Sequence, residues 1–500
     1  MKRILVLLAA ATLLLGSAFA QRLVVGQGSD AISLSPHNTN DQPSARVMRQ
    51  IYDTLVVQTE ALELEPGLAE SWEQVDENTW LFNIRQGVTF HDGSALTASD
   101  VAYTINRLRD PATAAPAAFL VGFIDTLEAV DDYTVRLTTK APFAPLLAHL
   151  SHTATSILSE AAVEAAGEDY GTTVVVGTGP FKFVSWQTAS QIVLERNDNW
   201  WGGEVLPAEV VFRPIIEGTV RAIELEAGGI DIAYALEPRD YLRLQQENNP
   251  RVVVDEIETL STNYIGFNAQ KAPFNDVRVR QAINHALDVG AIIDAIYEGL
   301  GNPASGPISP QVFGANLGLE GYDFDPERAK ALLAEAGLPN GFNATIWTND
   351  NPLRIQIAEI AQAFLADVGV NIEIQVLEWG AYLDGTAAGN HDMFILGWVT
   401  VTADADYGLY ALFHSSQFGS AGNRTFWSSD RVDELLDLGR SEADADARMT
   451  IYAEAQEIIA EQAPWIFLNV TLEMNGWRDN VAGFTPHPAG HHRLYNIQKN

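Results

Sequence analysis

The sequence predicts an α/β protein with mixed sheets flanked by helices. Patterns of helical and strand period alternate along most of the chain. Several helices open on an Asp, Asn or Thr cap, two with proline next, and close on glycine. Hydrophobic residues make up 47% of 500 and charged ones 19%, an ordinary globular balance. That length suits about three domain-sized units.

In chain order, Leu23 to Gly26 reads as a short buried strand. Thr79 to Arg85 and Tyr133 to Leu137 alternate apolar with polar residues, as half-buried strands do. Thr97 to Leu108 reads as a helix with a hydroxyl cap. Asp276 to Tyr297 is the longest helical pattern, with Val279, Ala282, Ile283, Ala286 and Leu287 on one face. Asp325-Pro326 opens another helix, which Gly337 ends. Asn351-Pro352 opens a third, closed by Gly369, and the strand Val370 to Val376 follows at once. After Trp477 the pattern returns to loop and strand.

Charge and composition remove whole classes of function. A net charge of −35 repels phosphate backbones, so nucleic acid is not expected as a partner. Zero cysteine excludes disulfides, thiolate metal sites, cysteine nucleophiles and a lipid-modified N-terminal cysteine. Lys2 and Arg3 precede the apolar run Ile4 to Leu15, and Ala18-Phe19-Ala20 follows. This is the order of an export signal in residues 1–20, cleaved near Ala20, and its apolar run is short for a spanning helix. A periplasmic product without a lipid anchor is expected.

Isolated motifs do not select an enzyme. Gly177-Thr178-Gly179-Pro180 lacks the third glycine and the following helix of a dinucleotide loop, so it reads as a tight turn. His91-Asp92-Gly93 reads as a turn between strand and helix. His487, His491 and His492 lack helical ligand spacing and read as a solvated tail. No Gly-x-Ser-x-Gly elbow and no His-Glu-x-x-His occurs. No catalytic residue, metal or cofactor is expected. Trp379 beside Glu378, and Trp398 ahead of Asp404 and Asp406, suggest an aromatic wall near an acid, suited to a ligand ammonium.

Several stretches together resemble the extracytoplasmic solute-binding proteins of peptide ABC importers, family 5. They are Gly67 to Trp72, Val88 to Gly93 continuing through Leu96 to Val101 and Asn106 to Leu108, Gly177 to Phe181, Asn197 to Trp201, Val279 to Asn284 and Asp325 to Lys330. The resemblance implies a two-lobed periplasmic-binding-protein fold of the class with an extra domain, hinged between lobes. It places lobe I in 21–55, 176–264 and 475–500, the extra domain in 56–175, and lobe III in 265–474. It also implies that His91 and Asp92 are scaffold.

The segment Gly397 to Tyr407 is the expected cleft signal. Dipeptide and oligopeptide binders of this family carry an Asp three residues after the Trp, where this chain has Val401. The longer loop, with Thr402, Asp404, Ala405, Asp406 and Tyr407, looks like the glutathione-binding subgroup, and Asn340-Gly341-Phe342 and Trp347 agree. The expected function is therefore capture of a small peptide, glutathione-like included, for a membrane permease with its cytoplasmic ATPase. The alternative is the same receptor class with a nickel chelate, haem, opine or oligosaccharide as ligand. Asp404 or Asp406 is expected to hold the peptide ammonium. Arg354, in the first turn of its helix, is expected to hold the carboxylate. Backbone groups from Asn263 to Phe267 are expected to pair with the peptide main chain as an added strand. The candidate binding residues are Trp398, Thr400, Thr402, Asp404, Asp406, Tyr407, Arg354, Trp379, Asn263, Tyr264, Gly266 and Asp30. A monomer is expected.

Overall fold

The computed structural model describes residues 21–247 and 249–500. The expected export signal in residues 1–20 lies outside them. Among the described residues an eleven-stranded mixed sheet runs through the molecule, its eleventh strand the short Asn302–Pro303 paired beside Trp465–Arg478. At its centre the two longest strands, Val252–Phe267 and Trp465–Arg478, pair antiparallel. One half of the sheet continues through Ile232–Ala233, Arg22–Gln27, Glu209–Pro214, Gln191–Arg196 and Phe181–Gln187. The other half continues through Met393–Val399, Phe342–Asn349 and Val370–Leu377. Helices cover each half, so the halves form two lobes sharing one sheet. The central ladder shifts register between Glu258 and Thr262 and again between Asn263 and Tyr264. These irregularities mark where the shared sheet passes from lobe to lobe, since bulges bend and twist a strand.

The segment 56–175 holds a separate four-stranded antiparallel sheet in the order Ala69–Gln74, Thr79–Ile84, Thr134–Thr139, Ile124–Asp131. Helix Ala98–Arg109 packs on it through Val101, Ile105 and Leu108, all fully buried. Thr97 and Asp100 close a capping box at its start, Asp100 Oδ2 accepting from Thr97 N at 3.0 Å.

Local chemistry explains most element ends. Asp325 and Asn351 accept hydrogen bonds from the backbones of Arg328 and Arg354, which starts helices Pro326–Glu335 and Pro352–Asp367. Gly177 and Gly179 pass so close to the end of helix Gln42–Ile51 that a Cβ would lie 2.2 and 2.6 Å from Ile51 backbone atoms. Glycine is needed there for close approach, not for a phosphate.

Two expectations change. The pattern from Asp276 to Tyr297 is two helices, Val277–Ala286 and Val289–Tyr297. Leu287 is extended and Asp288 caps the second helix from its own side chain, so the apolar stripe continues while the backbone breaks. The C-terminal histidines are not a solvated tail. His487, His491 and His492 are all buried, and His492 Nε2 lies 2.8 Å from Glu473 Oε1. Among the described residues no helix is long and apolar enough to cross a membrane.

Candidate functional site

A cavity of about 370 Å³ lies between the lobes, inside the range of roughly 300–1,000 Å³ usual for small-molecule sites. Its first wall is Thr39 to Pro43, at the start of helix Gln42–Ile51. Its second is His152 to Ala154, from the segment 56–175. The third comes from the other lobe: Asn349 and Arg354, Trp379, Gly397 to Val399, Tyr407 and Arg424. Contacts cross the opening. Asn40 Nδ2 donates to the Tyr407 hydroxyl at 3.0 Å, and His152 Nε2 lies 3.1 Å from that hydroxyl. Trp379 Nε1 donates to Asp41 Oδ2 at 3.4 Å. The two lobes and the segment 56–175 are thus drawn together around the cavity.

Five of the twelve sequence candidates line it: Arg354, Trp379, Trp398, Tyr407 and Asn263. Arg354 sits in the first turn after Asn351-Pro352, its Nη1 donating to Asn349 Oδ1 at 2.9 Å and its guanidinium 5.8 Å from the centre of the Trp379 ring. Gly397 lets the strand approach this group. A Cβ there would lie 2.5 Å from Asn263 Oδ1 and 3.5 Å from Arg354 Nη2. Trp398 is 9% exposed, and its Nε1–H has no partner among the described residues.

The other seven do not line it, for identifiable reasons. Asp404 caps helix Ala405–Phe413, accepting from Asp406 N at 2.9 Å, and takes Arg448 at 2.9 and 3.0 Å. Asp406 is fully buried, with Oδ2 2.9 Å from His149 Nε2 and Oδ1 3.0 Å from Arg440 Nε. Burial opposes its charge, but Arg440 and then His149 prevail and hold the carboxyl below the usual carboxylate range. Neither acid is free for a ligand ammonium. Thr400 and Thr402 are buried behind the loop, Thr402 Oγ1 accepting from Asp404 N at 3.4 Å. Asp30 holds Trp186 Nε1 at 3.2 Å and Ala189 N at 2.8 Å within its own lobe. Tyr264 stacks on Trp465, with ring centres 3.4 Å apart, and Gly266 packs against Phe394.

The added-strand expectation also fails. Ser261 to Phe267 pair with Met393 to Val399 on one side, and Thr262 to Gly266 with Trp465 to Val470 on the other. An interior strand has no free edge to offer a peptide.

What the sequence analysis missed lies mostly opposite these residues. Asp41 caps helix Gln42–Ile51, accepting from Ser44 N at 3.2 Å and from Thr39 Oγ1 at 2.6 Å. Burial raises its pKa, against the pull of those hydrogen bonds. The Asp41-Gln42-Pro43 run was a legible helix start, but nothing in it showed that the cap faces the cleft. Arg424 stands in a loop without periodicity. Its Nε donates to Thr386 Oγ1 at 3.2 Å, and it forms no ion pair among the described residues. Burial lowers the pKa of both Arg354 and Arg424. Each is a desolvated cation that an anion would stabilise. Among the described residues no group of three or more His, Asp or Glu is placed to hold a metal ion.

Opposed charges, a Trp-lined cavity and two lobes meeting at a shared sheet define a solute-binding receptor. The chain belongs to the bacterial extracellular solute-binding proteins of family 5, whose middle-region model matches residues 63–420. It is similar to the glutathione-binding protein GsiB of Pectobacterium atrosepticum, 31% identical over 93% of this chain and 91% of that protein. It is also similar to heme-binding protein A of Haemophilus influenzae, 33% identical over 90% of this chain and 87% of that protein. Among solved structures, the ABC transporter-associated periplasmic binding protein DppA of Helicobacter pylori, in complex with the peptide STSA, superposes with a TM-score of 0.90 at 33% identity, covering 96% of this chain and 98% of that one. The fold is that of the periplasmic peptide-binding proteins, and these relatives are transport receptors.

Proposed function

We propose that this protein is the capture subunit of an ABC importer, closing over a small peptide and delivering it to a membrane permease driven by a cytoplasmic ATPase. The observation that carries this is the pair of opposed charges in one cavity: Arg354 from one lobe and Asp41 from the other, with Trp379 between them. The peptide ammonium goes to Asp41 against the Trp379 face, and the carboxylate to Arg354, in a site where excluded water strengthens both contacts. The ligand bridges the lobes and so favours the closed form, which equal affinity for both forms would not do. The names of the similar proteins support a peptide of glutathione size. The protein acts outside the cytoplasm, exported by residues 1–20 and free of a lipid anchor, as a monomer, with no chemistry of its own.

Thermal unfolding and calorimetry of the mature protein with glutathione, dipeptides and tripeptides test this. A melting temperature that rises with peptide concentration, together with micromolar or tighter binding, is expected. Binding of haem or an opine with no response to any peptide would overturn it.

A further inference from the structure

The cavity carries one more cation than a simple zwitterion needs. An ordinary short peptide, with one ammonium and one carboxylate, would satisfy Asp41 and Arg354. Arg424 would stay buried without an anion. Its side chain is only 8% exposed, it lines the same cavity, and Thr386 Oγ1 is the one hydrogen-bond partner it has among the described residues. Asp384, exposed on the same helix as Thr386, also lines the cavity and acts on Arg424 from a distance, but forms no ion pair with it among the described residues. Trp398 also lines this cavity, and its indole N–H is buried without a partner among the described residues. On this lobe two guanidinium groups, Arg354 and Arg424, line the cavity against one carboxylate, Asp384, so the surplus there is positive.

We infer that Arg424 forms a second carboxylate subsite in the cavity wall, and that the protein selects acidic peptides carrying two carboxylates and one ammonium. This rests on the peptide-capture reading above and sharpens it. Asp41 takes the ammonium from one lobe, while Arg354 and Arg424 take the two carboxylates from the other. Such a ligand carries a net charge of −1 at neutral pH. The preference is built from buried groups, so it is discrimination by unpaired charge and not by size: a peptide lacking the second carboxylate strands a desolvated guanidinium.

The test is a cycle of protein and ligand changes read by calorimetry. The ligands are glutathione and its two single amides, one at the glycine carboxylate and one at the γ-glutamyl α-carboxylate. The proteins are the wild type, Arg424→Gln, Arg424→Lys and Arg354→Gln. In the wild type each amidation is expected to weaken binding 30-fold or more. In Arg424→Gln one of the two amidations should become nearly silent, within 3-fold, while the other keeps its full effect. Arg354→Gln should show the reciprocal pattern, and Arg424→Lys should keep part of the preference. If both amidations cost Arg424→Gln as much as they cost the wild type, the subsite is wrong. It is also wrong if Arg424→Gln weakens all three ligands by one common factor, which would mean that both arginines share a single carboxylate. Should Arg424→Gln fail to fold, Arg424→Lys and the amide series on the wild type still decide: neutral peptides bound as tightly as glutathione would overturn the subsite alone. No binding of any peptide would overturn the underlying function as well.

Discussion

Asp41 and Asp406 are both buried carboxylates at the start of a helix, and they differ in what stands opposite them. Asp406 faces Arg440 and His149 inside the protein, so its charge is already answered. Asp41 faces hydroxyls, backbone and an indole, so its charge is not. Two outcomes follow at this scale. Asp41→Asn should weaken peptides with a free amino group by about 30-fold or more, the effect of truncating one partner of a buried charged contact. The same variant should change binding of N-acetylated peptides little. Equal losses for both would remove Asp41 as the ammonium partner. Asp406→Ala should instead cost roughly 3–5 kcal/mol of stability in urea unfolding, because it leaves the buried Arg440 guanidinium uncompensated and His149 Nε2 without its partner. If that variant lost affinity with its stability intact, Asp406 would have to be returned to the ligand site.

Elements were legible wherever a local chemical signal marked their ends. The Asn351-Pro352 start, the Asp325-Pro326 start and the hydroxyl cap at Thr97 all stand at the residues that named them. The apolar stripe from Val279 to Tyr297 was legible as a face but not as one helix. Periodicity survives a break when the second segment resumes on the same core, here around Ile283, Ile292 and Ile293. Asp288 makes that break, its carboxylate accepting a hydrogen bond from Ala291 N at 2.9 Å. Asp288→Ala should therefore lower stability by about 1 kcal/mol, a lost cap, with peptide affinity unchanged. A change above about 3 kcal/mol in denaturant unfolding would show that Asp288 does more than cap. Strand Val252–Phe267 was read as offering an edge because its sequence does not say how many neighbours it has. Only the pairing with Met393–Val399 and Trp465–Arg478 closes both sides.

Across the whole molecule, Tyr407 is the point where three parts meet. Its hydroxyl joins Asn40 of one lobe and His152 of the segment 56–175, while its ring lies 5.2 Å from that of Trp398. Tyr407→Phe should keep the fold and shift the unliganded protein toward the open form. Scattering should then show a larger radius of gyration without peptide and the same one with saturating peptide. Acid stability is a property of the whole structure too. Burial pushes His37, His391 and His487 down to about 3, with Arg107 adding to the effect at His37 and His492 at His487. Their unfolded values lie near 6.5. Between these limits the unfolded chain binds more protons than the folded one. Stability is therefore full above about pH 6.5 and falls as pH drops toward 3, by roughly 1 kcal/mol per pH unit for each histidine. Glu473 adds the same sign lower down: Arg46 and His492 overcome its burial and hold it at about 2, so its contribution is lost as pH falls from about 4.5. Melting temperatures at pH 7.5, 6 and 5 should decline in that order, and a flat profile would mean that these histidines open to solvent and charge freely.

The sequence by itself determined the class of fold, the helix starts and the candidates Arg354, Trp379, Trp398, Tyr407 and Asn263 that line the cavity. Those signals are local: a cap, a proline, a spacing, an aromatic beside a glycine. Only the tertiary structure decided which charges are left over. Asp404 and Asp406 are neutralised by arginines 44 and 34 residues further along, and Asp41 meets Trp379 at a separation of 338 residues. A carboxylate's availability is set by the cation nearest to it in space, and that neighbour is assigned by packing and not by chain order.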